Sequence, residues 1–312
     1  MTPAARRRAV AMAQEEHGLS RRRACRLVGI SRSLVEREPK RERERDYARL
    51  RERLRALAGE RRRFGYRRLH ELLRREGWRT NHKLVERLYR EEKLAIRRRG
   101  RQKRGLGGVL AGAWCPIAAN QRWSLDFTED CLANGRRFRT ANLKDDCTRE
   151  CPAIAVDFSL PGQRVVAMLE DVAETRGYPD MLVVDNGPEL RGRDLDRWAY
   201  RSGVKLFFID PGKPMQNASI ESFNGRFREE CLDQTWFTSL AEARRIIEAW
   251  RVDYNRHRPH TSLRMATPAS FAAARPFVRR QRAPALELCE GSPPEPVAVL
   301  TGPVLPEAHG FP

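Results

Sequence analysis

No stretch of this chain approaches the roughly 18 consecutive apolar residues that a membrane-crossing helix needs, so no membrane span is expected. The opening Met1-Thr-Pro-Ala-Ala-Arg-Arg-Arg has no apolar segment behind it, which excludes a secretory signal from the reading. Cysteine is sparse and unpaired. The seven, at 25, 115, 131, 147, 151, 231 and 289, are odd in number and contain no CxxC pair. That pattern excludes a disulfide framework and points to reduced thiols in a cytoplasmic protein. Cys147 and Cys151 have no second ligand pair nearby, so a zinc site is not expected. Lysine is scarce too, with 7 against 54 arginines. A biased genome explains that preference, but not where the cations sit.

Their placement is uneven. Residues 1–110 carry 35 Lys and Arg against 14 Asp and Glu, a net of +21, while residues 111–312 carry 26 against 27. One third of the chain therefore holds the whole positive excess of a protein whose net charge is +20. That is the footprint of a polyanion-binding module, and nucleic acid is the expected partner. At 312 residues and 40% hydrophobic content the chain is long enough for about two domains with real cores.

Residues 1–39 read as a helix-turn-helix-like segment. Ser20 is a candidate N-cap, Ala24, Leu27 and Val28 are expected on one face, Gly29 makes a turn, and Ser31 caps a second short helix. Arg32, Ser33 and Arg37 are then placed to face DNA. Residues 40–96 read as a second small helical DNA-binding domain. A charge run at 40–46 starts a helix carrying Tyr47, Leu50, Leu54 and Leu57. A second helix carries Leu69, Leu72 and Leu73, and a third, capped by Thr80, carries Val85, Leu88 and Tyr89. Phe64, Tyr66 and Trp78 are expected in its core. Arg67, Arg68 and Lys83 are its candidate DNA contacts. Residues 97–119 are a basic, Gly-rich linker.

From residue 120 the texture changes. Strands are expected over Arg122–Asp130, Arg136–Lys144 and Cys151–Asp157, with Asn134-Gly135 turning the first hairpin. A helix around Val165–Val172, a buried strand Met181–Asp185, a helix Asp194–Arg201, a strand Val204–Ile209 and a helix over 217–232 follow. Ser239 and Glu242 form a capping box for a long last helix with Leu240, Ala243, Ile247, Trp250 and Tyr254 on one face. This order predicts an α/β domain over 120–273 with antiparallel first strands, a ribonuclease-H-like layout preceded by all-α helix-turn-helix modules. Residues 274–312 are rich in Pro, Ala and Glu without a period and are expected to be disordered.

Three acids stand out within the α/β part. Asp126 lies in Trp-Ser-Leu-Asp-Phe, on the strand face opposite Trp123, Leu125 and Phe127. Asp185 ends an apolar strand and precedes Asn186-Gly187-Pro188, at the strand end where ligands collect in α/β sheets. Glu221 sits on a helix beside the apolar stripe Ile220, Phe223, Phe227, with 35 residues between it and Asp185. Three unpaired carboxylates brought together repel, and a divalent metal resolves the conflict. Oxygen ligands suit Mg²⁺, and two such ions clamp a displacement at phosphorus. Lys213 and Asn217, which flank Glu221, are candidates for phosphate contact or for stabilising the loop. Asn186 either orients a water or only makes the turn. For His257 and His260, packing or DNA contact is preferred to metal binding.

The segments Asn120-Gln-Arg-Trp-Ser-Leu-Asp-Phe, Val184-Asp-Asn-Gly-Pro-Glu and Pro211-Gly-Lys-Pro-Met-Gln-Asn-Ala-Ser-Ile-Glu-Ser-Phe-Asn-Gly resemble the OrfB-type insertion-sequence transposases. Tyr254-Asn-Arg-His-Arg-Pro-His-Thr-Ser-Leu is also typical of that family, whose catalytic core is similar to retroviral integrase. The resemblance implies that Asp126, Asp185 and Glu221 are the catalytic, metal-holding triad. It implies two Mg²⁺ (or Mn²⁺) ions, cutting at transposon ends and joining of the freed 3′-hydroxyl to target DNA. It also implies DNA ends and target as partners, a homo-multimer in the synaptic complex, a possible upstream DNA-binding frame as fusion partner, and a nucleoid-associated location. Lys144, Cys147 and Arg264 depart from the family pattern, which has an apolar strand residue, an aromatic and a glycine there. Two alternatives stay open: a catalytically decayed DNA-binding relative, and a nuclease of the same fold without strand transfer.

Overall fold

Helical spacing in the first third and strand alternation in the middle give two kinds of structure. The structure, a computed structural model, describes residues 3–36, 40–96, 116–187, 189–210 and 217–275. Among these, no helix is long and apolar enough to cross a membrane. The basic Gly-rich stretch from 97 to 115 and the Pro/Ala-rich tail from 276 lie outside the described residues.

The N-terminal segment holds α1 (Pro3–Glu15), α2 (Arg21–Val28) and α3 (Arg32–Glu36). Leu34 donates its N–H to the Ser31 hydroxyl at 3.3 Å, the expected cap. Leu27 departs from expectation and is 73% exposed. At 100° per residue, Ala24, Cys25 and Val28 share a narrow arc, and Leu27 falls outside it. The small core that results pairs Ala24 and Cys25 with Val10 and Ile30.

The second helical unit is α4 (Lys40–Glu60), α5 (Tyr66–Arg75) and α6 (His82–Glu91). Leu50, Leu54, Leu57, Leu69, Leu73, Val85 and Leu88 form its core, with Phe64 buried and Tyr66 and Trp78 packed beside it. The cap of α6 is Asn81, whose side chain accepts from the Lys83 N–H at 2.9 Å. Thr80 is one residue too early, and its hydroxyl is buried without a partner among the described residues.

The α/β part forms one five-stranded sheet in the order β3-β2-β1-β4-β5. The strands are β1 (Arg122–Cys131), β2 (Arg137–Asp145), β3 (Ala153–Asp157), β4 (Met181–Val184) and β5 (Lys205–Phe208). β1, β2 and β3 pair antiparallel, and β4 and β5 add in parallel to β1. Gly135, at φ 81°, turns the first hairpin in a conformation that a side chain would strain. Helices α7 (Gly162–Arg176) and α8 (Arg193–Ser202) cover one face, around Trp123, Leu125, Leu143, Leu169 and Leu182. Helices α9 (Ala218–Glu230) and α10 (Leu240–Arg256) cover the other, around Phe138, Ile220, Phe223, Phe227 and Ile247. Fully buried side chains of this size contribute about 1.5–3 kcal/mol each. Ser239 caps α10 by accepting from Glu242 N–H, while Glu242 itself accepts from Thr238 rather than closing a box on Ser239. A short α11 (Pro268–Ala273) ends the described chain.

The second helical unit is bolted to the α/β part by arginines. Arg61 donates both terminal nitrogens to Asp253 on α10, at 2.6 and 2.5 Å. Arg68 meets Glu230 at 3.5 Å, and Glu230 also receives Arg258 at 2.6 and 2.7 Å. Arg75 donates to the carbonyls of His257 and Met265, both at 2.9 Å. The guanidinium groups of Arg61, Arg68 and Arg258 all lie over the Phe64 ring, 5.2 to 5.8 Å from its centre.

Candidate active site

The pleat of β1 sends Trp123 and Leu125 into the α7–α8 core, and Ser124, Asp126 and Thr128 towards α9. Parallel pairing sets Ser124 opposite Val183 on β4. Two residues further along both chains, Asp126 and Asp185 line one open cleft of about 510 Å³. Glu129, Arg139, Glu189 and Arg228 also line it. At the end of β4, Gly187 N–H donates to Asp185 at 3.1 Å. A Cβ on Gly187 would stand 3.0 Å from the Asp185 carboxylate and 3.3 Å from that of Glu189, so glycine keeps the two acids accessible.

On α9, Ile220, Phe223 and Phe227 bury themselves, and Glu221 stands exposed beside them. What seats this helix is a row of polar groups on the sheet. Asp126, Thr128 and Ser124 of β1 pair in register with Asn142, Thr140 and Lys144 of β2. Asn142 donates to Thr128 at 3.1 Å and to Asn224 at 2.8 Å. Asn224, one helical turn beyond Glu221, donates in turn to Asp126 at 2.8 Å. Lys144 donates to the carbonyl and hydroxyl of Ser219 at 2.7 and 2.6 Å, and Arg149 shares that hydroxyl at 2.9 Å. So the helix bearing Glu221 is tied to the sheet on both sides of that residue. Asn224 and Lys144 were assigned no role from the sequence; pairing of β1 with β2 is the signal that exposes them.

Burial pushes the Asp126 carboxyl up to about 6. Hydrogen bonds from Phe127 N–H and Asn224 pull it down, and the charges of Asp185 and Glu221 push it up further. Both other acids therefore act on Asp126. They do not close around one point, and among the described residues no three His, Cys, Asp or Glu side chains form a tight ligand cluster. Glu189 is held below the usual carboxylate range by its hydrogen bond from Arg139.

The remaining sequence candidates fall into several environments. Arg32, Arg67 and Lys83 are exposed. Arg37 and Lys213 lie outside the described residues. Arg68 is corrected: it turns to Glu230 and Phe64 at the junction of the two parts, and burial pushes its guanidinium down to about 10. Asn217 is 2% exposed at the start of α9, which favours its second candidate role, stabilising the loop, over phosphate contact. Asn186 makes the turn, donating to the Ile209 carbonyl at 2.7 Å and accepting from Arg191 at 2.8 Å. His260 packs edge-on against Tyr254 with ring centres 4.8 Å apart, and burial pushes it down to about 3. His257 ends α10 and is exposed.

Comparison with known proteins agrees with this layout. Two models described as integrase core domain match residues 117–214 and 202–268, and one described as HTH-like domain matches residues 44–102. An uncharacterized 31.7 kDa protein of insertion element IS407 from Burkholderia multivorans is 50% identical over 260 residues, 83% of this chain and 93% of the relative. An uncharacterized 39.2 kDa protein of insertion element IS476 from Xanthomonas euvesicatoria is 46% identical over 276 residues, 88% of this chain and 78% of the relative. The putative transposase InsK of insertion sequence IS150 from Escherichia coli is 29% identical over 241 residues, 72% of this chain and 83% of the relative. An integrase core behind an HTH-like unit, shared along most of its length with insertion-element proteins, makes this chain a member of the insertion-sequence transposase family.

Proposed function

We propose that this DNA-transposing polynucleotidyl transferase cuts DNA at the ends of its insertion sequence and joins the freed 3′-hydroxyl to target DNA, using Asp126, Asp185 and Glu221. One observation carries the reading: Asp126 is half-buried in a cleft it shares with Asp185, and its carboxyl is pushed up by burial and by the charges of both other acids. A carboxylate held at such a cost, with hard oxygen donors beside it, fits Mg²⁺ or Mn²⁺. Asp126, Asp185 and Glu221 would hold the ions. When bound, a pair of them supplies Lewis acidity at phosphorus and offsets charge on the leaving oxygen.

The chain's own residues do the rest. Asn224 fixes the rotamer of Asp126 and couples it to the helix of Glu221. Arg139 and Arg228 line the cleft and meet the scissile phosphate's charge. In the first reaction a water oxygen bonds to phosphorus and the 3′-oxygen leaves with a proton. In the second, that 3′-hydroxyl loses its proton as its oxygen bonds to a target phosphorus, and the target 3′-oxygen leaves with a proton. Residues 1–39 and 40–96 act as DNA-binding units ahead of a catalytic core at 120–273, and copies of the chain bring two ends together, with or without an upstream DNA-binding frame.

Replacing Asp185 by Asn tests the site. Cleavage should fall by well over the roughly 10–100-fold that loss of an outer-shell partner costs, with end binding intact. Undiminished Mg²⁺-dependent cutting by D185N refutes the assignment. A wild-type chain that binds ends and never nicks them is a regulator, and one that hydrolyses without joining is a nuclease.

A further inference from the structure

The turn after the 3₁₀ segment Thr261–Leu263 holds two consecutive non-glycine residues in the left-handed region, Arg264 at φ 53° and Met265 at φ 69°. Side chains there persist only where the surroundings over-determine the backbone, and such strain gathers at functional sites. Here the surroundings do determine it. Leu263 and Met265 both donate N–H to the His260 carbonyl, at 3.0 and 2.8 Å, and Arg75 of α5 holds the Met265 carbonyl at 2.9 Å. The same resemblance that identifies the family expects a glycine at 264, which would take this backbone without strain.

The strained turn places Arg264 at a second cleft, of about 430 Å³, which shares no residue with the one at Asp126. Glu71, Arg74 and Arg75 of α5 form one wall, and Arg264, Thr267 and Ser270 lie across from them. The cleft therefore spans the helical unit and the core. Glu71 is its only acid among the described residues, and it is already shared by Arg74 at 3.1 Å and Arg75 at 3.2 Å. Thr267 and Ser270 satisfy each other. Arg264 is exposed and makes no ion pair or hydrogen bond from its side chain among the described residues. Three guanidinium groups thus face one carboxylate, leaving an excess of two positive charges around a space that can hold an anion.

We propose that this cleft seats one backbone phosphate of duplex DNA lying across the helical unit and the core, with Arg264 as its principal contact. Guanidinium matches phosphate in two-pronged geometry. Phosphate contacts fix the register of a protein on DNA without reading sequence. Bridging both parts, this seat holds the duplex in one orientation to the core. The inference rests on the DNA-handling function of the chain, not on the assignment of the three acids.

Arg264→Gly and Arg264→Asn both suit the left-handed backbone, so neither threatens folding. The full chain is titrated with a fluorescently labelled duplex of mixed sequence over a range of salt. Each variant should bind about three- to tenfold more weakly than wild type, with a log–log salt slope shallower by about 1. Arg264→Lys should restore most of the slope. Thermal midpoints of the Gly and Asn variants should equal or exceed that of wild type, because strain is relieved, and a packing role would move them the other way. If wild type binds and R264G binds as tightly with the same slope, the seat is refuted and the DNA-handling function stands. If wild type binds no duplex at all, both fall.

Discussion

Lys144 offers a sharp test of how the helix of Glu221 is held. It is 4% exposed, a lysine inside the sheet-to-helix contact, and burial pushes its ammonium down to about 7 against the upward pull of Asp146. The ordinary value is 10.5. Between the two, the unfolded chain carries a proton that the folded chain lacks, so stability climbs as pH rises through that window. The climb flattens below about 7, where both states are protonated. Integrating from pH 7 to pH 8.5 gives about 1.5 kcal/mol. Thiols act in the opposite sense, since half-buried Cys147 and buried Cys151 and Cys231 are all pushed up and favour lower pH once free thiols begin to ionise. Comparison with Lys144→Met cancels them. The stability gap between wild type and K144M should therefore shift by about 1.5 kcal/mol in favour of wild type from pH 7 to pH 8.5. Urea unfolding followed by the buried Trp123 and Trp198 reports it. A gap constant to within about 0.5 kcal/mol would mean that Lys144 titrates as it does in water and is not sealed against Ser219.

Two further outcomes follow from the contacts. Arg61 and Asp253 meet through two parallel hydrogen bonds while remaining about one third and one fifth exposed, so screening reduces their coupling to about 1 kcal/mol in a double-mutant cycle. A coupling indistinguishable from zero would show that this pair does not hold the helical unit to α10. Asn224→Ala should lower cleavage roughly 10–100-fold and leave DNA affinity unchanged, because it frees Asp126 without removing charge; equal rates would mean that Asp126 needs no such support.

The sequence carried the order of elements well because both periodicities are strong here. Val85, Leu88 and Tyr89 at helical spacing, and Trp123, Leu125 and Phe127 at strand spacing, each resolve into one buried face. Boundaries set by local hydrogen bonding were harder. Thr80 and Asn81 are adjacent and both able to cap, and only the backbone geometry decides for Asn81. The polar row under α9 was hidden for a different reason. Thr140, Asn142 and Lys144 look like interruptions of an apolar strand until β1 is laid beside them, when each finds its opposite number. The partners across on α9, Asn224 for Asn142 and Ser219 for Lys144, lie far along the chain and leave no local trace. Arg68 and Asn217 show the converse: an arginine in a basic run is read as a DNA contact, and an asparagine by a candidate acid as a phosphate contact or a loop stabiliser, and both turn inward.

Burial of Arg68 and its neighbours changes what the charge asymmetry means. The excess of +21 in residues 1–110 reads at first as one large DNA footprint. Yet Arg51 and Arg55 bind Glu92, Arg53 binds Glu76, and Arg61, Arg68 and Arg75 point into the core domain. These six hold α4 to α6 together and fix the unit to the catalytic part. Arg62, Arg63, Arg79 and Lys83 are exposed and make no side-chain ion pair among the described residues. Arg49, Arg67 and Lys93 are exposed as well and form no ion pair among the described residues, so these cations, and not the six that dock and brace, are free to meet a polyanion. The remaining arginines explain why a basic helical unit can sit rigidly on a core whose own net charge is near zero: the core supplies Asp253, Glu230 and a row of carbonyls where the unit needs them. Arg75 stands where the two demands meet: it holds the His257 and Met265 carbonyls of the core and also lines the cleft at Arg264, so a substitution there should disturb docking as well as the cleft.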